Sequence, residues 1–225
     1  MIPFDWHWAF AWEVLPLLLQ AAGVTLQATL LGSALAIPIG LALALARRSR
    51  LGGLAWISHW WMEFIRSTPL LVQIYFLYYV GPEYGFNLSP LATGVIALGM
   101  HYGAYLSEVF RSGIDGVERG QWEAAVALNL SRYHSYRDVI LPQALGVLVP
   151  ASGNYLIAMF KETPQLSAIT LLEMLQLAKI LGAENFRYLE PFTLVGVIYL
   201  VLSLVASWGI RRLEQRLPRS GIPLR

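Results

Sequence analysis

The sequence contains no cysteine and only two lysines among its 225 residues. Without cysteine there is no disulfide, no thiolate nucleophile and no sulfur ligand for a metal. Lys161 and Lys179 follow Phe160 and Ala178, so neither completes the Gly-Lys-Ser/Thr of a nucleotide-binding Walker A loop. His7, His59, His101 and His134 show no metal-ligand spacing, and no metal site is expected. No G-x-S-x-G or H-E-x-x-H pattern marks a hydrolase. Charge of either sign is scarce. Charged residues make up 13% of the chain, against about 25% in an ordinary soluble domain. With 56% hydrophobic residues, that is too little charge to cover a soluble globule, and a bilayer is the expected solvent. A net charge of +2, with the basic residues spread along the chain, excludes a nucleic-acid footprint.

What is present is a series of apolar stretches, about five of them long enough to span. The first runs from Val14 to Ala46 and exceeds a hydrocarbon core of about 30 Å, so part of it must tilt, kink or lie outside; Pro38 is the expected kink. The second runs from Ile57 to Val80, interrupted by Glu63 and Arg66 and closed by Gly81-Pro82 turn chemistry. The third is Pro90–Phe110, the fourth Ala144–Phe160 and the fifth Pro191–Ile210. Leu166–Ile180 is apolar in bulk but carries Glu173 and Lys179. Met1–Glu13 has no lysine or arginine, unlike a cleaved signal peptide, so the first stretch is expected to be retained.

With the N-terminus outside, 12 of the 16 basic residues fall in inside loops or the C-terminal segment: Arg47, Arg48, Arg50, Arg111, Arg119, Arg132, Arg137, Arg211, Arg212, Arg216, Arg219 and Arg225. The positive-inside rule therefore predicts N-out, C-in. Tryptophans agree: Trp6, Trp8 and Trp12 fall at the outer interface, and Trp56, Trp60, Trp61 and Trp208 at the inner one. Trp122 lies apart, in the polar segment 111–143.

That segment is too long for a plain connector. Val117–Leu130 has helical apolar spacing, Asn129 tolerates the left-handed backbone that ends helices, and Ser131 can cap a second helix, Arg132–Leu141, which Pro142 is expected to end. The expectation is a two-helix knob for docking, with Glu123 as a charged anchor and Ala124 and Ala125 admitting a close partner backbone.

Glu123-Ala124-Ala125, then Asn129, then Val139-x-Leu141-Pro142, resembles the EAA loop of ABC importer permeases, E-A-A, three residues, G, nine residues, I-x-L-P. Asn129 replaces the family's Gly and Val139 its Ile. Gly120-Gln121-Trp122 and Gln143-Ala144-Leu145 extend the match. Arg66-Ser67-Thr68-Pro69-Leu70-Leu71-Val72-Gln73, Ala104–Arg111 and Lys161-Glu162-Thr163 resemble the polar amino acid subfamily, with the ectoine/hydroxyectoine permeases the nearest variety. The resemblance spans about Leu19 to Leu217. It implies an all-α polytopic fold of the type-1 importer permeases in a bacterial inner membrane. An outer interfacial segment 1–18 would precede a permease domain 19–217, which includes the coupling loop 111–143, and a cytoplasmic tail 218–225 would follow.

The implied partners are a cytoplasmic ABC ATPase dimer carrying ATP and Mg, a second permease subunit that is a copy or a paralogue, and an external solute-binding protein. The chain itself would bind no cofactor and carry no ATPase site. The ATPase-coupling residues carried over are Gly120, Glu123, Ala124, Ala125, Asn129, Val139, Leu141 and Pro142. The solute would be a small amino-acid-like molecule.

Glu63, Arg66, Lys161 and Glu162 are the ionisable residues near membrane depth, and hence candidates for a solute path or gate. Glu63 and Arg66 share a helical face, so an interfacial ion pair is an equal reading; for Lys161-Glu162 the closing of a helix outweighs a place on the path. Glu108 and Arg111 are expected to pair at an inner helix end. Gly99-x-x-x-Gly103 is a weak signal for close helix packing. A self-contained transporter or channel is the alternative, and an intramembrane enzyme a distant third; neither needs a docking loop, and no internal repeat is visible.

Overall fold

The computed structural model describes residues 5–216. The expected tail 218–225, with Arg219 and Arg225, lies outside the described residues, as do Met1–Phe4. Every regular element among the described residues is helical. In order these are α1 (Trp8–Arg47), α2 (Gly52–Ser67), α3 (Leu70–Tyr75), α4 (Pro90–Asp115), α5 (Arg119–Ala127), α6 (Arg132–His134), α7 (Leu141–Glu162), α8 (Met174–Asn185) and α9 (Leu189–Glu214). Short π-helical or 3-10 turns connect several of them. Three helical runs are long and apolar enough to cross a membrane: Trp8–Arg47, a continuous Arg132–Ile169, and Leu189–Glu214.

The first span is one helix of 40 residues that runs through Pro16 and Pro38 without a break. At about 1.5 Å per residue it exceeds the hydrocarbon thickness, and residues 8–18 of the expected outer segment belong to the same helix. It packs along α4, and small residues set the spacing. A Cβ at Gly99 would stand 2.6 Å from Leu35 Cδ2, and one at Gly103 2.7 Å from Ile39 Cγ2. The Gly99-x-x-x-Gly103 pattern is therefore a close-approach surface, here for α1. α4 itself is central and mostly buried.

Two expectations are corrected. The second stretch is not one continuous helix: α2 ends at Ser67 and α3 starts at Leu70. Pro69 has no N–H to give the Ile65 carbonyl, and the residue before proline is forced extended; Thr68 has φ −109° and ψ 138°. Gln73 repairs the loss, its Nε2 donating to Ile65 O at 2.7 Å and to Thr68 O at 3.1 Å.

Pro142, in turn, ends nothing. It sits in the first turn of α7, where a missing N–H costs little. Residues Ser135–Ile140 before it are π-helical, so the chain passes from α6 into α7 without leaving the helical path. α4 continues to Asp115, so the first residues of the polar segment are helical.

A core around Leu98, Leu106, Met159 and Leu166 joins α1, α4 and α7 to the 3-10 turn Thr163–Ile169. A second, around Leu18, Phe160, Met174 and Val195, joins the N-terminal half of α1 to α8 and α9. A third, around Val109, Ile114, Ile140 and Leu148, roots the polar hairpin on the bundle.

Candidate functional site

Two features carry chemistry: a polar hairpin at one end of the bundle and a charged cleft within it.

The hairpin is built by local sequence. α5 stops in a Schellman turn, with Asn129 N–H donating to Val126 O at 2.9 Å and Leu130 N–H to Ala125 O at 3.0 Å. Asn129 has φ 53°, the left-handed backbone expected of it. Ser131 Oγ then accepts the His134 N–H at 3.3 Å and caps α6. Trp122 is no interfacial anchor; its ring meets Tyr136 edge-on at 5.3 Å and ties α5 to the π turn. Gln143 Nε2 adds a bond to Gln121 Oε1 at 3.1 Å.

Glu123 and Arg119 project outward, paired at 3.3 Å with 69% and 93% of their side chains exposed. Val126, Leu128 and Tyr133 are exposed beside them, as are Gly120 and Ala124. Ala125 differs from expectation. It is buried, whereas its neighbour Ala124 is exposed. Val139 is half-buried against the third core, while Leu141 and Pro142 face outward.

Asn129→Val is expected to destabilise the hairpin by about 1 kcal/mol, because a β-branched residue resists the left-handed region, while Asn129→Gly leaves it unchanged or firmer. Hydrogen exchange of the Leu130 amide, compared between the two variants, measures this.

The cleft, of about 450 Å³, opens where α2 breaks into α3. Its walls include Arg66, Thr68, His101, Tyr105, Glu162 and Gln165. The fold thus brings together two of the four candidate path residues, 96 positions apart in the chain. Arg66 lies over the Tyr105 ring at 5.4 Å. Its Nε is buried without a hydrogen-bond partner, and its Nη1 stands 3.6 Å from Glu63 and 3.8 Å from Glu108, beyond hydrogen-bond reach. Glu162 accepts the Tyr102 hydroxyl at 2.9 Å on Oε2. Glu63 stands behind Arg66 rather than in the cleft, and Lys161 is exposed at the end of α7, outside the lining residues.

Behind Arg66 lies a charge cluster. Glu108 binds Arg111 at 2.9 Å, as expected, and also Arg47; Asp115 binds Arg111 at 3.3 Å and also Arg48. With Arg66 and Glu63 the cluster holds four guanidinium groups and three carboxylates, one cation in excess. Arg66 is the one guanidinium of the cluster with no hydrogen bond among the described residues, and it is the member that lines the cleft.

Sequence reasoning missed several residues. Gln73, four positions after Pro69, was findable by asking what would replace the lost donor; its Oε1 also meets His101 Nδ1 at 3.2 Å. Tyr102 and Tyr105 form a polar stripe at helical spacing inside an apolar stretch. Glu173 reads as an interruption but is fully buried, capping α8 through the Leu175 and Gln176 N–H groups at 3.0 and 2.7 Å. Glu190, also fully buried, takes the His7 N–H at 2.9 Å and the Arg187 guanidinium at 3.1 Å. Donation to Glu190 holds the Arg187 guanidinium above its ordinary pKa. Neither glutamate carried a local signal beyond being an acid beside an apolar run.

An all-helical bundle with apolar spans, an exposed polar hairpin and a charged cleft fits a transport subunit. The match is to the binding-protein-dependent transport system inner membrane component family, over residues 36–219, and the chain belongs to that family. It is 48% identical over 217 residues to the "Probable amino-acid ABC transporter permease protein y4tG" of Sinorhizobium fredii, covering 96% of this chain and 94% of that one. It is 37% identical over 220 residues to the glutamine transport system permease protein GlnP of Escherichia coli, covering 95% and 98%.

Among solved structures, the crystal structure of an amino acid ABC transporter with histidines aligns at TM-score 0.89 and 33% identity, over 95% of this chain and all of that one. The inward-facing MetNI methionine transporter shares the fold at TM-score 0.73 and 17% identity, over 95% of this chain and all of that one. The chain is thus a multi-pass inner-membrane permease subunit of an amino-acid ABC importer.

Proposed function

We propose that the chain forms, with a second permease subunit, the path for a zwitterionic amino acid, and that the Arg66–Glu162 cleft receives it. Arg66 supplies donors for the α-carboxylate, in the geometry a planar guanidinium favours. Glu162 accepts the α-ammonium with its remaining oxygen while Tyr102 holds the other. The observation that carries this reading is the surplus cation: a solute carboxylate at Arg66 balances the cluster and gives the half-buried guanidinium the hydrogen bonds it lacks.

In the same proposal the hairpin docks on a cytoplasmic ATPase through Glu123, Ala124 and the exposed Val126 and Leu128. ATP and Mg reside on that partner, an external binding protein delivers the solute, and the C-terminus faces the cytoplasm. The relatives described above carry amino acid and glutamine in their names. They lend no support to an ectoine-type solute, so the proposal is for an amino acid.

The test is calorimetric binding to the purified permease–ATPase complex, free of the binding protein. A panel of amino acids is compared with the corresponding amines, which lack the carboxylate. Arg66→Gln is expected to weaken amino acid binding by about 10- to 100-fold, the range of a charged hydrogen-bond pair, and to leave the weak amine binding unchanged. Equal losses for both ligand classes would place the carboxylate elsewhere.

A further inference from the structure

We propose that the charged end of α9 is a binding site for an anionic phospholipid headgroup, independent of the solute cleft. A recess of about 480 Å³ lies there, walled by Trp208, Gly209, Arg212, Leu213 and Arg216. Arg212 stacks over the Trp208 ring at 5.1 Å, which fixes its guanidinium at the mouth of the recess. Arg216 follows one turn later on the same face. Gly209 forms the floor, and no atom of the described residues comes within 4 Å of where its Cβ would be.

Charge sets this helix end apart from the ends of α1 and α4. Arg47, Arg48 and Arg111 at the ends of α1 and α4 are each held by Glu108 or Asp115. Arg212 and Arg216 make no ion pair among the described residues. The recess therefore presents uncompensated donors suited to a phosphate diester.

The surface leading to it has the shape of an amphiphile. Val197, Val201, Leu204, Val205 and Trp208 recur at helical spacing and are all at least half exposed. They form an apolar stripe along α9 that ends at the two guanidinium groups. An acyl chain fits the stripe and a phosphate its end. A second copy of this chain does not fit: copies inserted the same way place their α9 ends at one depth, so arginines would face arginines. The site rests on α9 alone and requires no choice of leaflet.

The test uses the full chain in neutral detergent, titrated with phosphatidylglycerol or with phosphatidylcholine of the same acyl chains. Lipid retention is counted by native mass spectrometry, and the melting temperature is followed in parallel. Phosphatidylglycerol is expected to be retained and to raise the melting temperature, while phosphatidylcholine does neither. Arg212→Gln with Arg216→Gln lowers retention about 30-fold, two surface charges at about 1 kcal/mol each. Arg211→Gln, on the other side of the helix, leaves retention unchanged.

Trp208→Leu, which keeps both charges and loses only the stacking, gives a smaller loss and guards against misfolding of the double variant. Equal retention of the two lipids overturns the proposal. So does an Arg211→Gln effect as large as the double variant's, protection by inorganic phosphate equal to the lipid's, or a protein dimer that excludes the lipid.

Discussion

Glu123→Lys is expected to leave the purified chain as stable as wild type and to reduce solute uptake at least tenfold. The first half follows from geometry. Glu123 pairs with Arg119 alone among the charged groups of the described residues, and both side chains are largely in solvent. An exposed pair of this kind contributes about 0–1 kcal/mol, so the melting temperature of the isolated chain should barely move. The second half follows from the proposed docking surface. A charge reversal at a protein interface costs several kcal/mol when it sets like charges together. Uptake and ATP hydrolysis in proteoliposomes holding the complete importer measure it. The variant is expected to insert normally and to lose solute-driven transport. Wild-type uptake with full ATPase binding would remove Glu123 from the coupling role.

Glu162→Gln should produce the second large effect. The amide keeps an oxygen that can accept the Tyr102 hydroxyl, now held at 2.9 Å, so the side chain stays in place and only its charge is lost. Loss of a charged hydrogen bond to an ammonium costs about 1.5–3 kcal/mol, and the uptake KM is expected to rise by roughly 10- to 100-fold. Tyr102→Phe keeps the charge and frees its position, so a rise of only a few-fold is expected. Equal KM values for wild type and Glu162→Gln would show that the cleft does not read the ammonium group. Radiolabelled uptake over a concentration series separates KM from maximal rate in both variants.

The parts of this molecule that could be read from sequence are those set within one or two helical turns. Asn129 entering the left-handed region and Ser131 capping the next turn both depend on neighbours three to five residues away, and both occur where expected. The Glu108–Arg111 pair is equally local. The cleft was not legible as a unit, because Arg66 and Glu162 meet only after α1 has packed on α4 and α7 has turned back beside them. Arg47 and Arg48 read as markers of membrane orientation; their contacts with Glu108 and Asp115 bridge more than 60 positions.

Pro142 misled because a proline both stops helices and starts them. Which applies depends on whether the residues before it can re-route their hydrogen bonds, as the π turn at Ser135–Ile140 does.

The continuity of the helical path through Pro142 has a mechanical meaning. From Arg132 to Glu162 the chain is a single strut of roughly 45 Å at 1.5 Å per residue, with the hairpin at one tip and the cleft carboxylate at the other. Partway along, Gly153 sits so tightly on Ile210 of α9 that a Cβ there would come within 2.7 Å of it, which makes a fulcrum. A beam held at an interior point turns a push at one tip into an opposite swing at the other. With that fulcrum 21 residues from Arg132 and nine from Glu162, a displacement of the hairpin would reach Glu162 as an opposite motion a little under half its size, with no intervening loop to absorb it.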